Sequence, residues 1–293
     1  MIPFIREFEF AYGKPDRLSP LVRRVIANNP GPFTFTGTGT YLVGDSRGVI
    51  LLDPGPDDPA HAEAVLAAAP GPIRHILVTH THRDHCAGTR RLATRTGAPV
   101  RAFGAHPSPP ARAAPALDEG ADFTFEPDGI LLDGESVTVP GAALKAVHTP
   151  GHIGNHLCFA LEEERALFTG DHVMGWATTV IAPPDGDMDA YMASLERLRL
   201  RDERIYYPTH GAPIEDPLPF VEAVQNHRRA RDAAFLAVLA SGPASAGEIV
   251  PQVYEGLDAA LRPAAALNVA AHLDAHVKRG RASKDSAGRY SLA

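Results

Sequence analysis

The segment Thr79-His80-Thr81-His82-Arg83-Asp84-His85 brings four metal-competent side chains together directly after a short apolar run, His75-Ile-Leu-Val-Thr79. That run reads as a buried strand. A strand end that enters a tight loop turns alternate residues toward one cleft. His80 and His82, two apart, then reach one metal ion, and Asp84 and His85, where the loop enters a helix, reach a second. Imidazole and carboxylate donors suit Zn2+, with Mn2+ or Fe2+ as alternatives. One histidine in a polar loop is ordinarily just solvated. This spacing, in a chain with 14 histidines, asks for a different explanation.

Three further candidates lie downstream. His148, Asp171 and His210 each follow an apolar run and are each flanked by glycine or proline: Thr149-Pro150-Gly151, Gly170 and Gly211. Strand ends of this kind assemble a site along one edge of a sheet. Five imidazoles and two carboxylates suffice for two metal ions with positions open to water and substrate.

The elements that must position these residues are short. Residues 41–43 and 49–53 read as strands around a Gly44-Asp45 turn, and 59–69 as a helix ending at Pro70-Gly71. A helix is expected from Cys86 to Thr96, capped by Gly97, and a strand from Pro99 to Phe103. Gly104 to Asp118, rich in proline and alanine, reads as a surface loop or mobile flap. Strands follow at 136–139, 143–148, 156–161, 166–169 and 204–207, with a helix at 189–200. After Pro217 the pattern changes to helices at 220–240, 247–254 and 263–278, closed by a ribbon at 281–292. Residues 217–293 carry a net +2, against −9 for the rest. The expectation is an α/β domain, 1–220, and a small helical C-terminal module, 221–293.

The 293-residue chain is 44% hydrophobic and carries 28 Lys+Arg against 35 Asp+Glu. Global disorder and a generally basic nucleic-acid-coating protein are excluded. No stretch of about 18 apolar residues is present, so no membrane span is expected. The charged N-terminal residues do not read as a secretory signal, and the expected location is cytoplasmic. Cys86 and Cys158 are expected to be buried free thiols.

The order His80-x-His82-x-Asp84-His85, His148, Asp171, His210 resembles the metallo-β-lactamase superfamily over about residues 30–215. The resemblance implies an αββα sandwich with a dinuclear, usually zinc, site. By position, His80, His82 and His148 resemble the ligands of the first metal, Asp84, His85 and His210 those of the second, and Asp171 the bridging carboxylate. Asn29-Pro-Gly-Pro-Phe, Gly39-Thr-Tyr-Leu-Val-Gly, His148-Thr-Pro-Gly-His, Tyr191-Met-x-Ser-Leu and His227-Arg are similar to the β-lactamase-like protein 2 group. Members of that group carry a winged-helix-like segment and include a single-strand-selective endoribonuclease. Gly39 stands where Asn is usual, and Thr209 where Gly is usual.

Two divalent ions that share a water lower its pKa toward neutrality, so a bound hydroxide serves as the nucleophile and no side-chain nucleophile is needed. Asp171 is the expected bridge, and Asp84 an acceptor for the attacking water. Asp53 either supports the site or simply forms a turn before Pro54-Gly55. His152 and His156 either contact substrate or hydrogen-bond within their loop. His172 should point away from Asp171. His61, His75, His106, His272 and His276 read as structural or surface residues.

The leading expectation is phosphodiester hydrolysis of single-stranded RNA, with Arg228, Arg229, Arg231, Lys278, Arg279, Arg281, Lys284 and Arg289 as candidate phosphate contacts. The alternative is a small-molecule thioester or ester hydrolase of the glyoxalase II type. β-Lactam hydrolysis ranks lower, because an Asp171 bridge is typical of the thioesterase and nuclease branches. A non-catalytic winged-helix binding protein ranks lower too, since the ligand set is complete. Oligomeric state is not readable from the sequence.

Overall fold

The computed structural model describes residues 1–108 and 120–293. Most of the loop expected over 104–118 lies outside the described residues. Among those described, two sheets pack face to face. The first runs in sequence order: β1 (Pro15–Arg17), β2 (Val22–Ile26), β3 (Gly39–Asp45), β4 (Gly48–Leu52), β5 (Ile73–Leu77), β6 (Val100–Ala102) and β7 (Gly129–Ile130). It is antiparallel as far as β4 and parallel from β4 to β7.

The second sheet holds β8 (Ser136–Val139), β9 (Ala142–His148), β10 (Leu157–Leu161), β11 (Ala166–Gly170), β12 (Ile205–Pro208) and β13 (Ile214–Glu215) in the order β13-β12-β11-β10-β9-β8. Tyr41, Ile50, Leu52 and Leu77 of the first sheet meet Leu144, Phe159, Phe168 and Tyr207 of the second between the layers.

Both outer faces are covered, so the central strands are apolar on each side and read as continuous hydrophobic runs. Over the first sheet lie α1 (Pro59–Ala68), α2 (Arg83–Cys86) and α3 (Thr89–Thr96). There Leu42, Val49, Leu51 and Ile76 pack against Val65, Cys86 and Leu92. Asp58 caps α1 by accepting from the Ala60 amide, with Pro59 in the first turn. The single helix expected over 86–96 is broken at Gly88. The chain there passes so close to the 54–56 loop that an added Cβ would lie 2.8 Å from the Pro54 carbonyl oxygen.

Over the second sheet lie α4 (Met188–Arg199) and the long α5 (Pro217–Leu239). Tyr191, Leu195 and Leu198 of α4 meet Cys158, Ala160 and Leu167 of the sheet and Phe220 and Val221 of α5. The αββα sandwich is therefore the observed architecture. Both cysteines are buried and free, as expected.

The C-terminal module contains α6 (Ala246–Val253), α7 (Arg262–Lys278) and a small sheet of β14 (Ala244–Ser245), β15 (Ala282–Lys284) and β16 (Arg289–Leu292). Ser245 and Glu248 close α6 with a reciprocal capping box. Phe235 and Leu239, near the end of α5, pack on Ile249, Val269, Leu273 and Tyr290. The residues either side of position 220, where the first domain is expected to end, lie inside α5. That helix belongs to two apolar clusters, one at each end. Ala271 and Ala275 of α7 also join the cluster over the second sheet, so the module is packed onto the sandwich. No helix of the described residues is long and apolar enough to cross a membrane.

Candidate metal centre

The loop after β5 and the ends of β9, β11 and β12 meet at one edge of the sandwich. Three groups of ligand atoms form there: His80, His82 and His152; Asp84, His85 and His210; and His80, His85 and Asp171. Nε2 of His80 lies 2.9 Å from Nδ1 of His82, and Nε2 of His152 lies 3.0 Å from that same Nδ1. Nε2 of His210 and of His85 lie 3.1 and 3.3 Å from Asp84 Oδ2. Asp171 stands between the two sets. Its Oδ1 is 3.4 Å from His210 Nε2 and 3.5 Å from His85 Nε2, while its Oδ2 is 3.9 Å from His152 Nε2.

The outer nitrogens of these rings are held by acceptors that assign the tautomers. His85 donates its Nδ1–H to Asp53 Oδ2 at 2.9 Å, and His152 donates to the Val180 carbonyl at 2.7 Å. His210 donates to the Gly37 carbonyl at 3.1 Å. The Thr79 hydroxyl donates to Asp53 and therefore accepts from His80 Nδ1–H at 3.0 Å. Nε2 of His80 and of His152 are then acceptors aimed at one atom, His82 Nδ1, which has at most one proton and can satisfy only one of them. A cation among the three rings satisfies all of them.

Around His85 and His210 the carboxylates favour positive charge, whether a proton or a metal ion supplies it. Burial disfavours charge on His85 and His210, yet the neighbouring carboxylates hold both above the ordinary imidazole range. Burial likewise opposes charge on Asp84 and Asp171, and the facing imidazoles overcome it and hold both carboxyls below their ordinary range. His85 Nε2 and Asp171 Oδ1 are buried without a hydrogen-bond partner. These donors fit two divalent cations: His80, His82 and His152 for one, Asp84, His85 and His210 for the other, and Asp171 facing both. When bound, such a pair supplies Lewis-acid polarisation and lowers the pKa of water.

His148 is a correction. It ends β9 opposite Leu157, its amide donates to Asp133 Oδ1 at 2.8 Å, and its ring stacks on Phe103 at 4.0 Å. It belongs to none of the ligand groups, and His152 takes the expected place. The turn between them decides this. Gly151 adopts a φ of 143°, and a Cβ there would lie 2.3 Å from the Tyr191 Cα. With the turn pressed against α4, the chain doubles back and His152 arrives at the sheet edge. Two histidines flank one Thr-Pro-Gly turn, and the spacing alone does not say which one enters.

Asp53 meets the cluster through His85. It is wholly buried, and besides His85 it accepts from the amide and hydroxyl of Thr79 and the hydroxyl of Thr209. Gly39 and Thr209, the two departures from the group pattern, touch each other: the Gly39 amide donates to the Thr209 carbonyl at 2.8 Å.

His156 is wholly buried and faces Asp171 from behind. Its Nε2 accepts the Asp171 amide at 3.2 Å and its Nδ1–H donates to the Thr149 hydroxyl at 2.9 Å. Burial, with its imidazole neighbours, holds its pKa well below the ordinary range, so the neutral ring suits this role. His172 is wholly buried, its ring lying against those of His156 and Tyr191. His106, read from the sequence as a structural or surface residue, bonds the Thr81 hydroxyl in the loop after β5 at 2.9 Å.

A cavity of about 220 Å3 adjoins the centre and extends beneath the C-terminal module. His152 and Asp171 line it, as do Trp176 and Val180 from the loop after β11 and Tyr254 and Leu257 from the module. The sequence carried no signal for this cavity, because its walls come from segments remote along the chain.

Residues 34–210 match the model of the metallo-beta-lactamase superfamily, and residues 245–289 match the beta-lactamase associated winged helix domain. A beta-lactamase-like protein 2 homolog from Caenorhabditis elegans is 34% identical over 263 residues, 87% of this chain and 83% of that protein. An atrochrysone carboxyl ACP thioesterase from Aspergillus chevalieri is 36% identical over 229 residues, 76% of this chain and 67% of that protein. The crystal structure of a beta-lactamase domain protein from Burkholderia ambifaria has the same fold, with a TM-score of 0.81 at 22% identity, covering 100% of this chain and 97% of that one.

Proposed function

We propose, from the premise that the chain belongs to the metallo-β-lactamase superfamily and is a hydrolase of that fold, that it cleaves acyl thioesters or related esters with a compact, largely apolar acyl group. The observation that carries this reading is the cavity beside His152 and Asp171. Apolar side chains make up much of its wall: Met174, Trp176, Val180, Tyr254, Leu257 and Leu261. Its volume, about 220 Å3, lies below the roughly 300–1,000 Å3 of sites for drug-sized ligands. Such a space takes a small acyl body. The relative named a thioesterase supports the same reading.

The chain's residues divide the work. The cavity wall excludes water from the acyl body and turns the acyl carbonyl toward Asp171 and His152. Asp84 accepts a hydrogen bond from the attacking water, Asp171 faces both ligand sets, and Asp53 and His156 hold His85 and Asp171 in place. The nitrogen and oxygen donor set suits zinc in both positions, with manganese or iron as alternatives.

The phosphodiester reading loses support on the module's surface. Lys278 pairs with Asp187, Arg279 with Asp189, Lys284 with Asp274 and Arg289 with Glu248. Arg228 is buried, and Arg231 donates to the Val253 carbonyl at 2.6 Å. A phosphate backbone laid on these cations also meets their carboxylates.

A substrate panel with the zinc-loaded protein tests the reading: acyl N-acetylcysteamine thioesters, single-stranded RNA, bis(4-nitrophenyl) phosphate and nitrocefin. Thioester turnover exceeding the other three in kcat/KM is the expected result. RNA cleavage without thioester turnover would overturn it.

A further inference from the structure

Arg228 on α5 is only 3% exposed, yet it borders the cavity. Among the described residues no carboxylate pairs with it. Its Nη2 donates to the Thr179 carbonyl, its Nη1 donates to Asn268 Oδ1 at 3.3 Å, and its Nε is buried with no hydrogen-bond partner. The Tyr191 ring lies 5.2 Å from the guanidinium carbon and offsets part of the desolvation without cancelling the charge. Asp232, one helical turn along, is engaged by His272 and His276 at 3.0 Å each. A buried cation without a counter-ion is costly, and a ligand that brings the missing charge recovers that cost.

The rest of the wall shares this bias toward donors. Trp176 stacks on Phe35 at 4.8 Å, and its Nε1 is buried without a partner. His227 also lines the cavity, its pKa pushed down to about 4 by burial first and then by Arg228 and Arg231, so its ring is neutral at pH 7. The only acid among the lining residues is Asp171, which belongs to the metal centre. Thr179 links the two ends of the space. Its hydroxyl donates to the Asp171 carbonyl at 2.7 Å, and its own carbonyl accepts from Arg228.

We infer that the cavity selects acyl groups that end in a carboxylate, and that Arg228 determines this specificity. The inference rests on the reading of the cavity as the acyl site. The reacting carbonyl sits at the His152 and Asp171 end. The carboxylate sits against the guanidinium of Arg228, the one Lys or Arg side chain among the lining residues. Arginine suits the seat because its planar fork carries five N–H groups, and its bonds to Thr179 and Asn268 leave others for the ligand.

Trp176 is the one tryptophan of the chain, so its fluorescence reports occupancy without turnover. The zinc-loaded protein is titrated with two thioethers that have no scissile acyl bond, S-(4-carboxybenzyl)- and S-(4-methylbenzyl)-N-acetylcysteamine. The expected result is roughly tenfold or greater preference for the carboxylate, the size of a charge-assisted hydrogen bond. In Arg228→Met the ratio falls to about one, and in Arg228→Lys it is intermediate. Equal affinities in the unmodified protein overturn the inference. So does a preference that survives Arg228→Met, which would place the carboxylate on the metal ions. Should Arg228→Met fail to fold, the unmodified protein and Arg228→Lys decide by the same ratio. The matching 4-carboxybenzoyl and 4-methylbenzoyl thioesters separate this inference from the one beneath it. Equal kcat/KM for both removes the carboxylate selection and leaves thioester hydrolysis standing. Carboxylate-selective binding without thioester turnover keeps the selection and removes the thioester.

Discussion

Asp53 Oδ2 accepts the Nδ1–H of His85 at 2.9 Å, and that contact determines which nitrogen His85 turns toward Asp84 and Asp171. Asp53 sits at a φ of 51°, in the left-handed region that Asp and Asn tolerate best among residues with a Cβ. Asp53→Asn therefore keeps the backbone and changes the hydrogen bonding alone. The amide cannot accept from His85, Thr79 and Thr209 at once. Metal affinity should fall about 10- to 100-fold, measured by competition with a chromogenic chelator. Unchanged affinity and stoichiometry would show that Asp53 only forms a turn.

His148 and His152 give opposite expectations. His152→Ala should lower the metal content from two ions per chain to about one, since three converging imidazoles become two. His148→Ala should keep both ions and cost about 1 kcal/mol of stability through the lost stack on Phe103. Elemental analysis of the two variants decides, and metal loss confined to His148→Ala would restore the assignment expected from the sequence.

Gly151→Ala tests the turn that separates them. The residue would need a positive φ, and its Cβ would press on α4 2.3 Å from the Tyr191 Cα. The expected cost is about 2–4 kcal/mol, with weakened metal binding as His152 shifts. A melting temperature and metal affinity equal to those of the unmodified protein would refute the account of the turn.

His61 makes stability depend on pH. Burial holds its folded-state pKa down at about 4, against 6.5 when unfolded, and its Nε2 lies 2.8 Å from the Thr40 hydroxyl. Between those values the unfolded chain binds the extra proton. Stability is therefore full above pH 6.5 and declines as pH falls toward 4, by up to about 3 kcal/mol. His61→Gln retains a hydrogen-bonding side chain without the titration. The urea midpoint of the unmodified protein minus that of the variant should shrink as pH drops from 7 to 4. A constant difference would remove His61 as the cause, and the subtraction cancels metal loss common to both.

Much of the fold was legible because it is local. The apolar runs of β4, β5, β10 and β11 stand out because both faces are covered, and Pro59 and Gly97 mark helix ends that the backbone itself prefers. His80, His82, Asp84 and His85 were legible for the same reason: one loop carries all four, and their spacing sets their reach. Asp171 and His210 join the cluster because each follows a strand that ends at the same edge.

What the sequence determined by itself was the types of side chain in the cluster, the elements that carry them and the family they belong to, all of which depend on residues close together along the chain. The tertiary structure alone decided three things. It brought in His152 and left out His148, because the packing of Gly151 on Tyr191 sets the direction in which the chain leaves the turn. It made Asp53 a shared acceptor for Thr79, His85 and Thr209, residues up to 156 positions away. It also placed Arg228, read from the sequence as a surface cation for phosphate, behind the catalytic edge without a carboxylate partner among the described residues. A helix pattern reports which face is apolar, whereas the partner that each polar side chain meets depends on what other segments press against it.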